Sequence, residues 1–125
     1  MSKLLFEEES YLVIGTCIEV HKQLGNSFYK EVYNEVLQKE FIKRKIPFER
    51  QKKLPLYYDG MLLKKQFTAD FVCFGKIIVD LEFGKINLEN EKNQMINYLK
   101  ATHFKLGFII NFSGKSLKWK RFINT

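Results

Sequence analysis

A chain of 125 residues, 46% hydrophobic and 15% aromatic, can bury roughly two-thirds of the surface its unfolded form would expose, and is too apolar to be a disordered linker. A net charge of +7 with a pI near 9.4 favours a polyanionic partner such as nucleic acid. The opening "MSKLLFEEES" turns acidic before any long apolar run, which argues against a signal peptide or membrane span and leads us to expect a cytoplasmic protein with no membrane partner. Cys17 and Cys73 stand far apart and outside any CxxC pair, against a thiolate zinc site or a disulfide framework.

Residues 7–24 carry Tyr11, Leu12, Ile14, Ile18 and Leu24 at broadly helical spacing, and Gly25-Asn26 ends the pattern. Ser27 is the expected N-cap of a second helix, whose apolar stripe of Phe28, Val32, Val36, Leu37 and Phe41 runs towards Lys45 before Pro47 stops it. Strands are expected over 48–58 and 62–74, joined by the tight-turn pair Asp59-Gly60, and Gly75 turns the chain into a third strand over 77–83. Residues 89–101 hold good helix formers without a breaker, and "FKLGFIINF" and "SLKWKRFI" read as two last strands around Ser113-Gly114. The order is ααβββαββ, an α/β (α+β) pattern read as a single domain over 1–125.

The third strand, "IIVDLEF", raises a question of its own. Asp80 and Glu82 lie two apart, so both emerge from one face while Ile77, Val79, Leu81 and Phe83 fill the other. Such a face is either solvated or functional. Asp70 likewise interrupts the apolar "FTADFVCF", sharing a face with Thr68 and Val72, opposite Phe67, Phe71 and Cys73. For Asp70 to face Asp80 and Glu82 across the hairpin, opposed residue numbers must sum to an even value. A two-residue Gly75-Lys76 turn would set Asp70 against Leu81, so convergence requires a three-residue loop or a bulge.

The element order resembles the restriction-endonuclease-like core of the PD-(D/E)XK nuclease superfamily, a mixed central sheet flanked by helices. "CIEVHKQLG", "YNEVL", "IPFERQ", "LPLYYDG", "ADFV", "INYLKAT" and "LGFIINF" are similar to the small bacterial proteins called GxxExxY proteins, over nearly the whole chain. The resemblance implies a metal site of Asp70, Asp80 and the residue at 82, taking Mg2+ or Mn2+. Position 82, where the family has Lys, is Glu82, and the motif that names the family falls on Ser27, Lys30 and Tyr33, of which the tyrosine alone matches. The two departures look like one exchange of charge, which implies contact between Lys30 and Glu82. In the helix "NLENEKNQMINYLKAT", Gln94 and Tyr98 share a face at i,i+4 and resemble the QxxxY element of RecB-like members, which implies a supporting role at the site. Glu49 and Gln51 either support the site from the side or face solvent. With two histidines in the chain, His21 and His103 are read as structural.

Basic residues gather in "KRKIPFERQKK" and "KSLKWKRF". Lys52, Lys53, Lys118, Lys120 and Arg121 are the candidates for holding phosphates beside the acids, while lysines alternating with apolar residues on a terminal strand also protect a sheet edge. Two functions follow. One is a metal-dependent nuclease, endo- or exo-acting, on nucleic-acid phosphodiesters, with DNA preferred to RNA as partner; it uses Asp70, Asp80, Glu82, Lys30, Gln94 and Tyr98. The other is a catalytically inactive module of the same fold for nucleic-acid binding or protein interaction, with a homodimer as one form of it.

Overall fold

The computed structural model describes residues 5–84 and 88–124. Helices α1 (Glu7–Leu24) and α2 (Lys30–Lys43) precede strands β1 (Phe48–Tyr58), β2 (Met61–Cys73) and β3 (Ile77–Glu82); helix α3 (Leu88–Thr102) leads to β4 (Leu106–Asn111) and β5 (Lys118–Ile123). The five strands form one sheet in the order β1-β2-β3-β4-β5. The β3/β4 pair is parallel, with α3 as its crossover, and the other pairs are antiparallel.

Helices cover both faces because successive strand residues are apolar on both sides. Phe71, Cys73, Ile77, Val79, Leu81, Phe108 and Ile110 pack with Val13, Cys17, Val20, Tyr33, Leu37 and Phe41 of α1 and α2. On the other side Leu54, Phe67, Ala69, Val72, Ile78, Ile109 and Phe122 pack with Met95 and Leu99 of α3. Gly107 permits that second contact, since a Cβ there would lie 2.7 Å from the Met95 sulfur. Cys17 and Cys73 are free and buried, and burial pushes the Cys73 thiol up to about 12.

Three local expectations are corrected. In α1 the buried face is Val13, Ile14, Thr16, Cys17, Val20 and His21, whereas Tyr11, Leu12 and Ile18 are exposed. Of the five expected positions, Ile14 is buried and Leu24 packs against the core, while the other three face solvent. The N-cap of α2 is Tyr29, without a side-chain cap, and not Ser27; the Ser27 hydroxyl donates to Asn26 instead. The strict alternation expected of β2 also fails. Phe67 and Ala69 pack towards α3, while Phe71 and Cys73 pack towards α1 and α2. The break falls at Asp70, opposite Gln51, whose φ of 53° puts it in the left-handed region within β1. A residue so placed turns the strand, and the two paired strands change faces together.

The β2–β3 loop has three residues, Phe74, Gly75 and Lys76. Phe74 and Gly75 have φ of 57° and 68°, and the Phe74 N–H donates to the Pro47 carbonyl at 2.9 Å. The register is Cys73↔Ile77, Val72↔Ile78 and Phe71↔Val79, the even sum that aims Asp70 at Asp80.

Candidate active site

Regular β2/β3 pairing ends at Phe71↔Val79, and beyond it the strands part. Two carboxylates span the fork. Asp80 Oδ1 accepts the Asp70 backbone N–H at 2.9 Å, and Asp70 Oδ2 accepts the Leu81 backbone N–H at 2.8 Å. Each side chain thus replaces a ladder hydrogen bond of the other strand. This leaves Asp70 Oδ1 and Asp80 Oδ2 without a hydrogen bond to a described residue.

A cation enters the fork from α2. Lys30 Nζ lies 3.0 Å from Asp70 Oδ2, with 42% of its side chain still exposed. Lys30 opens α2, and the segment before it is held by Tyr33. The fully buried Tyr33 hydroxyl donates to the Gly25 carbonyl at 2.6 Å, and its ring stacks on Phe112 with centroids 4.6 Å apart. The expected Lys30–Glu82 pair is therefore corrected: Lys30 meets Asp70. Glu82 lines the same pocket and feels the Lys30 charge without forming an ion pair with it.

The fork opens into a pocket of about 310 Å³ lined by Lys30, Asp70, Asp80, Glu82, Gln94 and Tyr98, together with Gln66, Thr68 and Glu91. Tyr98 stacks on Phe67 with ring centroids 4.0 Å apart, tying α3 to β2, and Gln94 is exposed at the rim. Burial pushes the Asp80 carboxyl up to about 7. The Asp70 and Glu82 charges contribute to that rise, while the Asp70 N–H and Lys30 oppose it. Glu82 is also raised, first by burial and then by Glu91. Four acids share one lysine, so the pocket carries excess negative charge in a partly desolvated setting.

Asp70, Asp80 and Glu82 line one pocket, although among the described residues no three His, Cys, Asp or Glu side chains form a ready metal-binding group. The donor chemistry of Asp70 and Asp80 suits a small divalent cation. Two carboxylates with one uncommitted oxygen each, plus waters and substrate oxygens, is the shell that magnesium accepts.

The other sequence candidates lie elsewhere. Lys118, Lys120 and Arg121 line a separate groove between α3 and β5, which shares Glu91 and Ile109 with the pocket. The Arg121 guanidinium is engaged with the segment before α1, its Nη2 donating to the Leu5 carbonyl at 2.8 Å. Lys52 pairs with Glu49 at 2.8 Å, and Lys53 is exposed on β1; Glu49 and Gln51 do not line the pocket. His21 Nε2 is hydrogen-bonded to the Gly114 carbonyl at 2.9 Å, and the His103 ring stands edge-on to Tyr57. Sequence reasoning passed over Glu91, although its position three residues before Gln94 places both on one helix face. Gln66 also went unmarked. Its signal was weaker, because the turn at Gln51 and Asp70 decides which part of β2 meets α3.

A mixed five-stranded sheet that forks at paired carboxylates, with helices on both faces, is a restriction-endonuclease-like fold. Residues 7–122 match the sequence profile of the PD-(D/E)XK nuclease superfamily, and the chain belongs to it. The crystal structure of SSO0001 shares the fold, with a TM-score of 0.56 at 15% identity over 75% of this chain. The match covers 50% of SSO0001, so this chain spans about half that protein's length. No curated protein matches the chain. Among the described residues, no helix is long and apolar enough to cross a membrane.

Proposed function

We propose that this chain is a metal-dependent nuclease of the GxxExxY branch, cutting phosphodiesters of DNA in preference to RNA at the β2/β3 fork. The observation that carries this reading is the crossed pair of hydrogen bonds between Asp70 and Asp80, which fixes two carboxylates side by side with one free oxygen each. Mg2+ or Mn2+ held by Asp70 and Asp80 would supply an activated water and neutralise charge building on the phosphorus. The chain's own groups do the rest. Lys30, anchored on Asp70 and reaching in from α2, steadies the phosphate as the ammonium of the site. Glu82 and Glu91 line the same pocket and would hold water there, and Gln94 at the rim would hydrogen-bond the flanking nucleic-acid backbone. Tyr98, stacked on Phe67, keeps α3 in place over the site.

The test is nicking of supercoiled plasmid with Mg2+ or Mn2+ present. The wild type should nick and Asp80→Asn should not, with Lys30→Ala reduced by on the order of a hundredfold if it stabilises developing charge. Equal nicking by wild type and Asp80→Asn would end this reading. Retention of DNA without nicking by either would instead favour the inactive binding module, for which Glu82 in place of the family's lysine is the specific observation.

A further inference from the structure

The wall of the pocket continues outwards into a feature the proposed chemistry does not use. From Tyr57 to Gln66 every residue is exposed, so beyond the edge-on contact of Tyr57 with His103 the outer half of the β1–β2 hairpin presents its side chains to solvent. Asp59 and Gly60 close it with φ of 50° and 75°, the left-handed pair of a two-residue hairpin turn. The tip is apolar. Tyr58 and Met61 pair across it, 68% and 60% exposed, and the next pair, Tyr57 and Leu62, alternates to the other face. Its stem is basic: between positions 50 and 66 there are five lysines and arginines, Arg50, Lys52, Lys53, Lys64 and Lys65, against the single acid Asp59. An apolar patch this exposed marks an interaction surface, and the positive stem selects the partner. A second copy would bring like charge against like charge; a polyanion would not.

We propose that this hairpin is an arm that grips duplex DNA on one side of the cleavage site, with Lys64 and Lys65 on phosphates and the Tyr58–Met61 tip wedged against base edges or steps. The inference rests on the nuclease reading above and extends it to substrate binding. Gln66 and Thr68 line the pocket and Asp70 lies at its floor, so β2 runs without interruption from the tip to the site. At a strand rise of about 3.3 Å per residue, Lys64 stands roughly 20 Å and Met61 roughly 30 Å from Asp70. On B-form DNA these distances reach about six and nine base pairs from the scissile phosphate. Basic residues at phosphate height with an apolar wedge beyond them is a recognised way of holding a duplex without reading its sequence.

Fluorescence anisotropy with labelled duplex DNA tests this, with Ca2+ in place of Mg2+ and a salt series. Lys64→Ala/Lys65→Ala should weaken binding on the order of tenfold at 0.1 M salt and lower the slope of log affinity against log salt by about 2. Tyr58→Ser/Met61→Ser should weaken binding severalfold with the slope unchanged, and shortening the duplex below about six base pairs on one side of the site should remove both effects. Both variants alter exposed side chains, and thermal unfolding checks that each is folded. If the parent binds DNA and both variants match it in affinity and slope, the arm is overturned while the nuclease reading stands. A tip variant that turns a sedimenting dimer into a monomer with DNA binding intact overturns it as well, and marks the tip as a protein interface. If the parent binds no DNA, both proposals fail.

Discussion

The two faces of the sheet are built differently. On the α1/α2 side, Tyr33, Phe41, Phe71, Leu81 and Phe112 are fully enclosed, and Phe41, Phe48 and Phe71 meet edge to face or tilted with centroids between 5.4 and 5.9 Å. On the α3 side the core is smaller, Leu54, Phe67, Ile109 and Phe122 keep 4–8% exposure, and Phe67 and Ile109 line the open pocket. One face is packed to hold the sheet. The other is left thin enough for acids to sit half-buried at a fork. The lesson is that the site draws its rigidity from behind: Tyr33, on the packed side, fixes the segment from which Lys30 reaches the acids.

The largest expected effect tests the packed face. Phe71→Ala should destabilise the fold by about 3–5 kcal/mol in urea unfolding. Phe67→Ala on the thin face should cost clearly less, because its stacking partner Tyr98 is itself partly exposed and can relax. Equal costs would mean that the two faces are energetically alike. The next effect is one of pH. The ordinary carboxylate value for Asp80 is 3.8 and its folded value is about 7, so between these limits the folded state holds a proton that the unfolded state has released. This contribution to stability is full at low pH and is lost as pH rises through about 7. Metal-free wild type should therefore lose stability relative to Asp80→Asn as pH is raised across that window, as measured by thermal unfolding in a buffer series.

Smaller effects sharpen the link between the faces. Tyr33→Phe removes the hydroxyl bond to Gly25 and should cost about 1 kcal/mol. Nicking should fall by more than that loss of folded protein explains, because Lys30 is no longer held. Smallest of all is the Lys30–Asp70 pair. With 42% of the Lys30 side chain exposed, a double-mutant cycle of Lys30→Ala and Asp70→Asn should give a coupling of about 0.2–1 kcal/mol, falling with added salt. A coupling near zero would place Lys30 in solvent.

Much of this arrangement was legible in the sequence, for physical reasons. Alternation with period two set both Asp80 and Glu82 on one face, and the parity condition between Asp70 and Asp80 demanded a three-residue loop or a bulge, of which Phe74, Gly75 and Lys76 form the loop. The family resemblance added the fold. Local patterns missed what depends on distant partners. The inner face of α1 contains Thr16 and His21, which are hydrogen-bonded to the Leu12 and Gly114 carbonyls, so hydrophobicity alone placed Ile14 and Leu24 correctly but also picked the exposed Tyr11, Leu12 and Ile18. The left-handed backbone at Gln51 has no marker of its own, since glutamine is not a residue that favours it, yet it redirects both β1 and β2. The Lys30 pairing was assigned to Glu82 because charge exchange in a pattern shows that groups are near one another, and not which oxygen is closest.

The central claim is that Asp70 and Asp80, fixed by each other's backbone across the fork, form a cation site. Calorimetric titration of Mn2+ into the protein at pH 6.5 and low salt tests it most directly. The account predicts one saturable site in the wild type, with proton release on binding because the raised Asp80 carboxyl must ionise to take the metal. In Asp80→Asn both the site and the proton release should be lost. Heats that are the same for wild type and Asp80→Asn, or binding without proton release, would contradict it.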